Sequence, residues 1–235
     1  MLTMRDHDVE DYVALRDMDA TDVGMLSEDD RACLEELGDY LVSTDAFRRF
    51  AIWLLHKHFQ PDAGEVFVES VITAPRGTQT TRVKRSSARG LKATSMRFDP
   101  DTSSGVGVIG MEFAAPADFG STSSVSPDDE AVLTGIAQRL RAHGKTERFG
   151  VRLIRNPLGL NENEVLLETC DLAHRTLHCS VDERDRARAA TTVETTWEWK
   201  PSLSKTGPKA KRYCAYQCQM DSGNNHYPVG HWSTD

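Results

Sequence analysis

Apolar residues recur along this chain at helical spacing twice and at strand spacing many times. Leu34, Leu37 and Leu41 lie three and four residues apart, as do Leu133, Ile136 and Leu140, so each trio marks the buried face of an amphipathic helix. Both helices carry a start signal. In "SEDD" and "SPDD", Ser27 and Ser126 stand as N-caps with Asp30 and Asp129 three residues on, where side chain and backbone can satisfy each other and acids suit the first turn. Pro127 takes the first helical position, where its missing N–H costs nothing.

After each helix the pattern changes to alternation. In "RFGVRLIRNPL", Phe149, Val151 and Leu153 share one side and Arg152 faces the other. In "RFAIWLLHKHF", Phe50, Ile52 and Leu54 take the apolar side, and the same parity carries it through His56 to His58. A turn, "QPDAG" or "GLNEN", leads to a second strand, "EVFVE" or "EVLLE". If Phe59 lies opposite Gly64 across a four-residue loop, the strands form a hairpin that sets His58 against Glu65 and His56 against Phe67, with Glu69 one step beyond. A slip of one residue turns the glutamates to the other face.

These matches form one ungapped alignment of residues 27–69 over 126–168, with 12 of 43 positions identical. His56 and His58 become Arg155 and Pro157 in the second copy, while Glu65 and Glu69 persist as Glu164 and Glu168, which Arg155 can pair. The histidines therefore distinguish the first copy. Further strand-like segments separated by Gly, Pro and Ser follow each copy. The expected fold is α+β, an internally duplicated helix plus antiparallel β-hairpin unit with pseudo-twofold symmetry. It divides as an acidic leader at 1–26, a first repeat at 27–118, a second at 119–200 and a Cys/His-containing segment at 201–235.

Charge and composition narrow the class. Of a net charge of -8, residues 1–36 carry 12 acids against 3 basic residues, so the body is near neutral behind an acidic, solvated leader. The apolar share of 39% fits a globular protein, no apolar run is long enough to span a membrane, and the acidic N-terminus does not read as a secretory signal. A cytoplasmic chain is expected. Its five scattered cysteines then read as thiols or metal ligands rather than as a disulfide framework.

Two constellations carry chemistry. His-x-His on a strand with a nearby carboxylate can hold a metal, because alternate residues point the same way and neutral imidazole binds zinc and its neighbours. His56, His58, Glu65 and Glu69 are the catalytic candidates; a hairpin end with solvated histidines is the plain alternative. Near the C-terminus, Cys214, Cys218, His226 and His231 offer two thiolates and two imidazoles, enough to close a tetrahedral zinc site. Basic residues around Arg76–Lys92 and Lys205–Arg212 can contact phosphates, though on a chain of pI about 5.5 they read more readily as solvated surface.

"LLHKHF…GEV" together with "TWEWKP" and the Cys/His-rich end resembles uncharacterised fungal proteins that share a Leu-Leu-His-Arg-His-Phe-like element and a Cys/His-rich C-terminus. The resemblance implies no activity. No phosphate-binding loop, dinucleotide fingerprint, nucleophile elbow or His-Glu-x-x-His helix occurs. The expectation is a metal-dependent enzyme acting on a small molecule, with structural zinc at the C-terminus and a second divalent or redox metal at the histidines. Its rival is a non-catalytic binding module with the C-terminal zinc alone, in which basic loops touch nucleic acid.

Overall fold

The computed structural model describes residues 1–16, 25–100, 102, 105–120, 122–185, 192–204 and 207–219. In chain order these form β1 (Leu2–Asp6), α1 (Val9–Val13), α2 (Glu28–Ser43), β2 (Phe50–Leu54), β3 (Glu65–Thr73), β4 (Arg76–Lys84), β5 (Lys92–Phe98), β6 (Val106–Ala114), α3 (Glu130–Ala142), β7 (Phe149–Leu153), β8 (Glu164–Asp171), β9 (Thr176–Glu183), β10 (Thr192–Ser204) and β11 (Gly207–Gln219).

Ten strands close on themselves in the order β6-β3-β4-β9-β8-β11-β10-β2-β7-β5, with β5 returning to β6. This closed barrel overturns the expected α+β architecture of helix-plus-hairpin units. β2 does not pair with β3. It pairs with β7 and β10, whereas β3 lies between β4 and β6. Phe59 therefore never turns a hairpin against Gly64, and the proposed facing of His58 with Glu65 is absent.

What recurs at the offset of 99 is strand register. Glu65↔Lys84 becomes Glu164↔Glu183, and β2 meets β7 with Ile52 opposite its own counterpart, Val151. The parallel pairs Glu69↔Ala114 and Cys218↔Glu168 correspond as well, with β11 displaced from β6 by 104 residues rather than 99. Each half thus contributes five strands to a single wall.

β2 and β7 are buried at every position because both faces of the wall are covered. Phe50, Ile52, Leu54, Phe149, Val151 and Leu153 join Leu34, Leu37, Leu41, Leu133, Ile136 and Leu140 in the main core, so the helices pack outside the barrel. Both capping boxes form, at Ser27/Asp30 and Ser126/Asp129, the latter opening on one 3-10 turn before α3. Each capping aspartate also anchors the opposite half: Asp30 meets Lys145 at 2.7 Å, and Asp129 accepts from Arg49 at 2.6 Å. Gly38 lets α2 lie directly on Trp199, since a Cβ there would sit 2.1 Å from the indole Nε1.

The alternate parity faces the lumen, where buried charges meet. Arg152 crosses the barrel from β7 to donate to Glu69 on β3 at 2.7 Å and to Glu112 on β6 at 2.8 Å, and its guanidinium lies 4.4 Å from the Tyr216 ring centre on β11. Arg155 gives Glu69 a second partner at 2.5 Å. Burial opposes ionisation of Glu69, but the two guanidinium groups prevail and hold its carboxyl below the usual range.

The acidic leader is partly built in. β5 occupies one edge of β6, so β1 adds in parallel along the other, with Leu2↔Val106 through Asp6↔Gly110, end to end with β3. α1, capped reciprocally by Asp8 and Asp11, then drops Tyr12 and Leu15 against Trp53, Leu55, Phe67, Ile109 and Met111. Tyr12 Oη donates to Met111 O at 2.7 Å. One end of the barrel is thereby plugged.

Candidate metal centre

His56 and His58 leave the end of β2 just under that plug. They meet Glu168 of β8 and Cys218 of β11, and one ligand-type atom from each of the four lies within 4.8 Å of the others. His56 Nε2 stands 3.1 Å from His58 Nε2 and 3.7 Å from Cys218 Sγ. Cys218 Sγ donates to Glu168 Oε2 at 2.7 Å, and the Thr195 hydroxyl donates to the same oxygen at 2.8 Å. Thr195 sits at a register shift in β10, and such a bulge re-aims a side chain.

The tautomer of His56 follows from geometry. Its Nδ1 lies 2.7 Å from the carbonyl of Leu54, which can only accept, so Nδ1 carries the proton and Nε2 presents a lone pair to the cluster. That is the hydrogen bond a metal-ligating histidine characteristically makes. A tetrahedral ion with bonds of about 2.0–2.3 Å spaces its donors roughly 3.3–3.7 Å apart. The His–His and His–Cys separations are near that range already; seating an ion opens the His58–His56 and Cys218–Glu168 hydrogen bonds and draws in donors that now lie up to 4.8 Å apart.

Burial pushes the Cys218 thiol well above its ordinary range, reinforced by the Glu168 charge, and burial likewise raises Glu168 against its bonds from Cys218 and Thr195. Without a cation the cluster is a thiol donating to a carboxyl. Beside it a cleft of about 20 Å³, lined among others by Trp53, Phe59, Phe67 and Lys57, has room for one water.

The sequence candidates divide. His56, His58 and Cys218 are brought together. Glu65 is elsewhere: its Oε2 accepts the Asp62 amide at 2.9 Å and faces Arg82 at 3.5 Å. Glu69 is sealed between Arg152 and Arg155, so Arg155 reaches the first-half carboxylate rather than Glu164 or Glu168. Cys214 is buried apart from Cys218, its thiol donating to Tyr216 O at 3.0 Å and pushed up by burial. His226 and His231 lie outside the described residues. Glu168, the second-half counterpart of Glu69, was the missed member. Its signal was the same glutamate retained in a copy whose histidines were lost.

The basic stretch is largely neutralised: Arg76 pairs with Glu164, Arg82 and Lys84 face Glu65, and Arg85 pairs with Asp6. No described helix is long and apolar enough to cross a membrane. Comparison with known proteins finds no matching family model, no matching curated protein and no matching solved structure.

Proposed function

We propose that the barrel holds one divalent transition-metal ion, zinc foremost, at His56, His58, Glu168 and Cys218, and that this ion serves an enzyme acting on a small molecule. The observation that carries the reading is the convergence of four donor atoms from three separate chain segments inside a barrel, with His56 already in the ligating tautomer. When bound there, the metal supplies Lewis acidity and a water of lowered pKa. His56, His58 and Cys218 bind. Glu168 either completes the set or, held by Thr195, stands beside the bound water as its base. The aromatic walls of the cleft and Tyr12 of the plug narrow the approach to the site.

A second reading has its own support. Four protein donors close a tetrahedron, and a space of about 20 Å³ leaves little room for a substrate, which favours a non-catalytic staple across the lumen.

Elemental analysis and cobalt substitution of the full chain test the site. Near one zinc per chain is expected, and cobalt should give a thiolate charge-transfer band that Cys218→Ser abolishes. A folded wild type that takes up neither ion sinks both readings. Where cobalt binds, water exchange at the ion separates them: an exchangeable water means an open, catalytic position, and its absence means a staple.

A further inference from the structure

The two ends of the barrel are built alike but closed differently. At the plugged end, β1 covers Val106–Gly110 of β6. By register, the corresponding positions at the other end are Ala210–Cys214 of β11, because Gly110 pairs with Met96 as Cys214 pairs with Trp197, while Met96 and Trp197 meet Val151 and Ile52. No described strand covers that stretch on the side away from β10. β11 pairs with β8 only at Tyr216–Cys218. Beside it lies a cavity of about 240 Å³, with Ile154, Leu166, Cys214 and Ala215 in its apolar wall and charged residues, Glu164, Arg184, Glu198 and Lys200 among them, in the rest of its lining. The four of the apolar wall correspond by register to Leu55, Phe67, Gly110 and Met111. Three of these counterparts, Leu55, Phe67 and Met111, pack with Tyr12 and Leu15 at the opposite end.

Two side chains already reach that stretch: Asp39 of α2 accepts the Ala210 amide at 3.4 Å, and Arg184 takes the Cys214 carbonyl. At the plugged end, Gly110 O accepts from the His7 amide at 3.0 Å and from the His7 ring at 2.9 Å, and Asp6 pairs with Arg85. At the open end no such strand occurs among the described residues, and Arg184, the counterpart of Arg85, donates to Cys214 O and to Glu164 O. The arginine thus satisfies a strand-edge carbonyl that backbone satisfies elsewhere.

The geometry points to a docking site for an extended segment of a partner polypeptide along Ala210–Cys214, running parallel to β11 and ending in an acid followed by a tyrosine or leucine. The segment adds as a strand, its acid draws Arg184 off Cys214 O, its next amide takes that carbonyl, and its apolar residue enters the 240 Å³ cavity. Main-chain bonds give affinity and the cavity gives selectivity, as in other strand-addition sites. β1 and α1 show the chemistry of the occupant, since they fill the corresponding site of this chain.

A labelled synthetic peptide of residues 1–16 is the probe, titrated into the full chain. Saturable binding is expected, weakened at least tenfold by Ala215→Trp, which fills the cavity, and by changing the peptide's Asp6 to Lys. Hydrogen exchange provides a second reading independent of variant folding: amides of 210–214 should gain protection when peptide is added, while those of 106–110 do not change. Absence of binding overturns the proposal. So does protection confined to 106–110, which means exchange with the chain's own β1, or a dimer formed through swapped N-terminal segments.

Discussion

His56 Nε2 stands 3.7 Å from Cys218 Sγ, across 162 residues of sequence and three strands of the barrel wall. Cys214, only four residues from Cys218, packs instead against Val165 and donates to Tyr216 O. The two thiols therefore answer differently to the same change. Cys218→Ser should remove bound metal and lower thermal stability. Cys214→Ser should keep metal at the wild-type ratio, read by elemental analysis on both variants in parallel.

The two equivalent glutamates separate structure from site in the same way. Glu69→Gln leaves Arg152 and Arg155 short of a buried counter-charge, and breaking such a pair costs about 3–5 kcal/mol. Glu168→Gln keeps a partner for Thr195 and removes no ion pair, so the expected loss in metal-free protein is under about 2 kcal/mol. Urea unfolding after chelation measures both. Equal losses would mean that Glu168 is as structural as Glu69.

Acid should destabilise the fold near the plug before it reaches the carboxylates. Burial lowers the His7 pKa from 6.5 against its bond to Gly110 O, so the folded state prefers the neutral ring. Stability from this group is complete above pH 6.5 and is lost as pH falls from there through the lowered folded value. His7→Gln, which keeps a donor for Gly110 O, should flatten that part of the curve of melting temperature against pH. Asp30 and Asp129, held low against burial by Lys145 and by Arg49, act in the same sense in a more acidic window: their contribution is complete above about pH 3.8 and is lost as pH falls from there through the lowered folded values.

Much of the local structure was legible before any coordinates, and little of the pairing. Ser27 with Asp30 and Ser126 with Asp129 announce helix starts because capping is a matter of a few adjacent residues. Alternation in Phe50–Leu54 shows which residues share a face, but not whether that face meets a lumen or a helix. Phe50, Ile52 and Leu54 face α2 and α3, while Trp53 and Arg152 face inward. Nor does alternation name the neighbouring strand: closure of ten strands is a property of the whole chain. His56, His58 and Cys218 were recognisable as metal-type donors by residue chemistry. Their meeting with Glu168 rests on β11 lying beside β8, which no local spacing encodes.

Gly38→Ala tests how tightly the helical layer is seated. In an exposed helix this change is worth about 1 kcal/mol in favour of alanine. Here the new methyl would meet the indole of Trp199 at 2.1 Å, and Trp199 is itself buried, so the ring or the helix must shift to admit it. Overpacking of this kind costs about 1–3 kcal/mol, which outweighs the propensity gain. The variant should unfold at lower urea with an unchanged slope, and Trp199→Phe, which trims the clashing ring edge, should recover part of the loss in the double variant. A stabilised Gly38→Ala would show that α2 can lift from β10 without cost, and that the outer core is looser than the contact between Gly38 and Trp199 indicates.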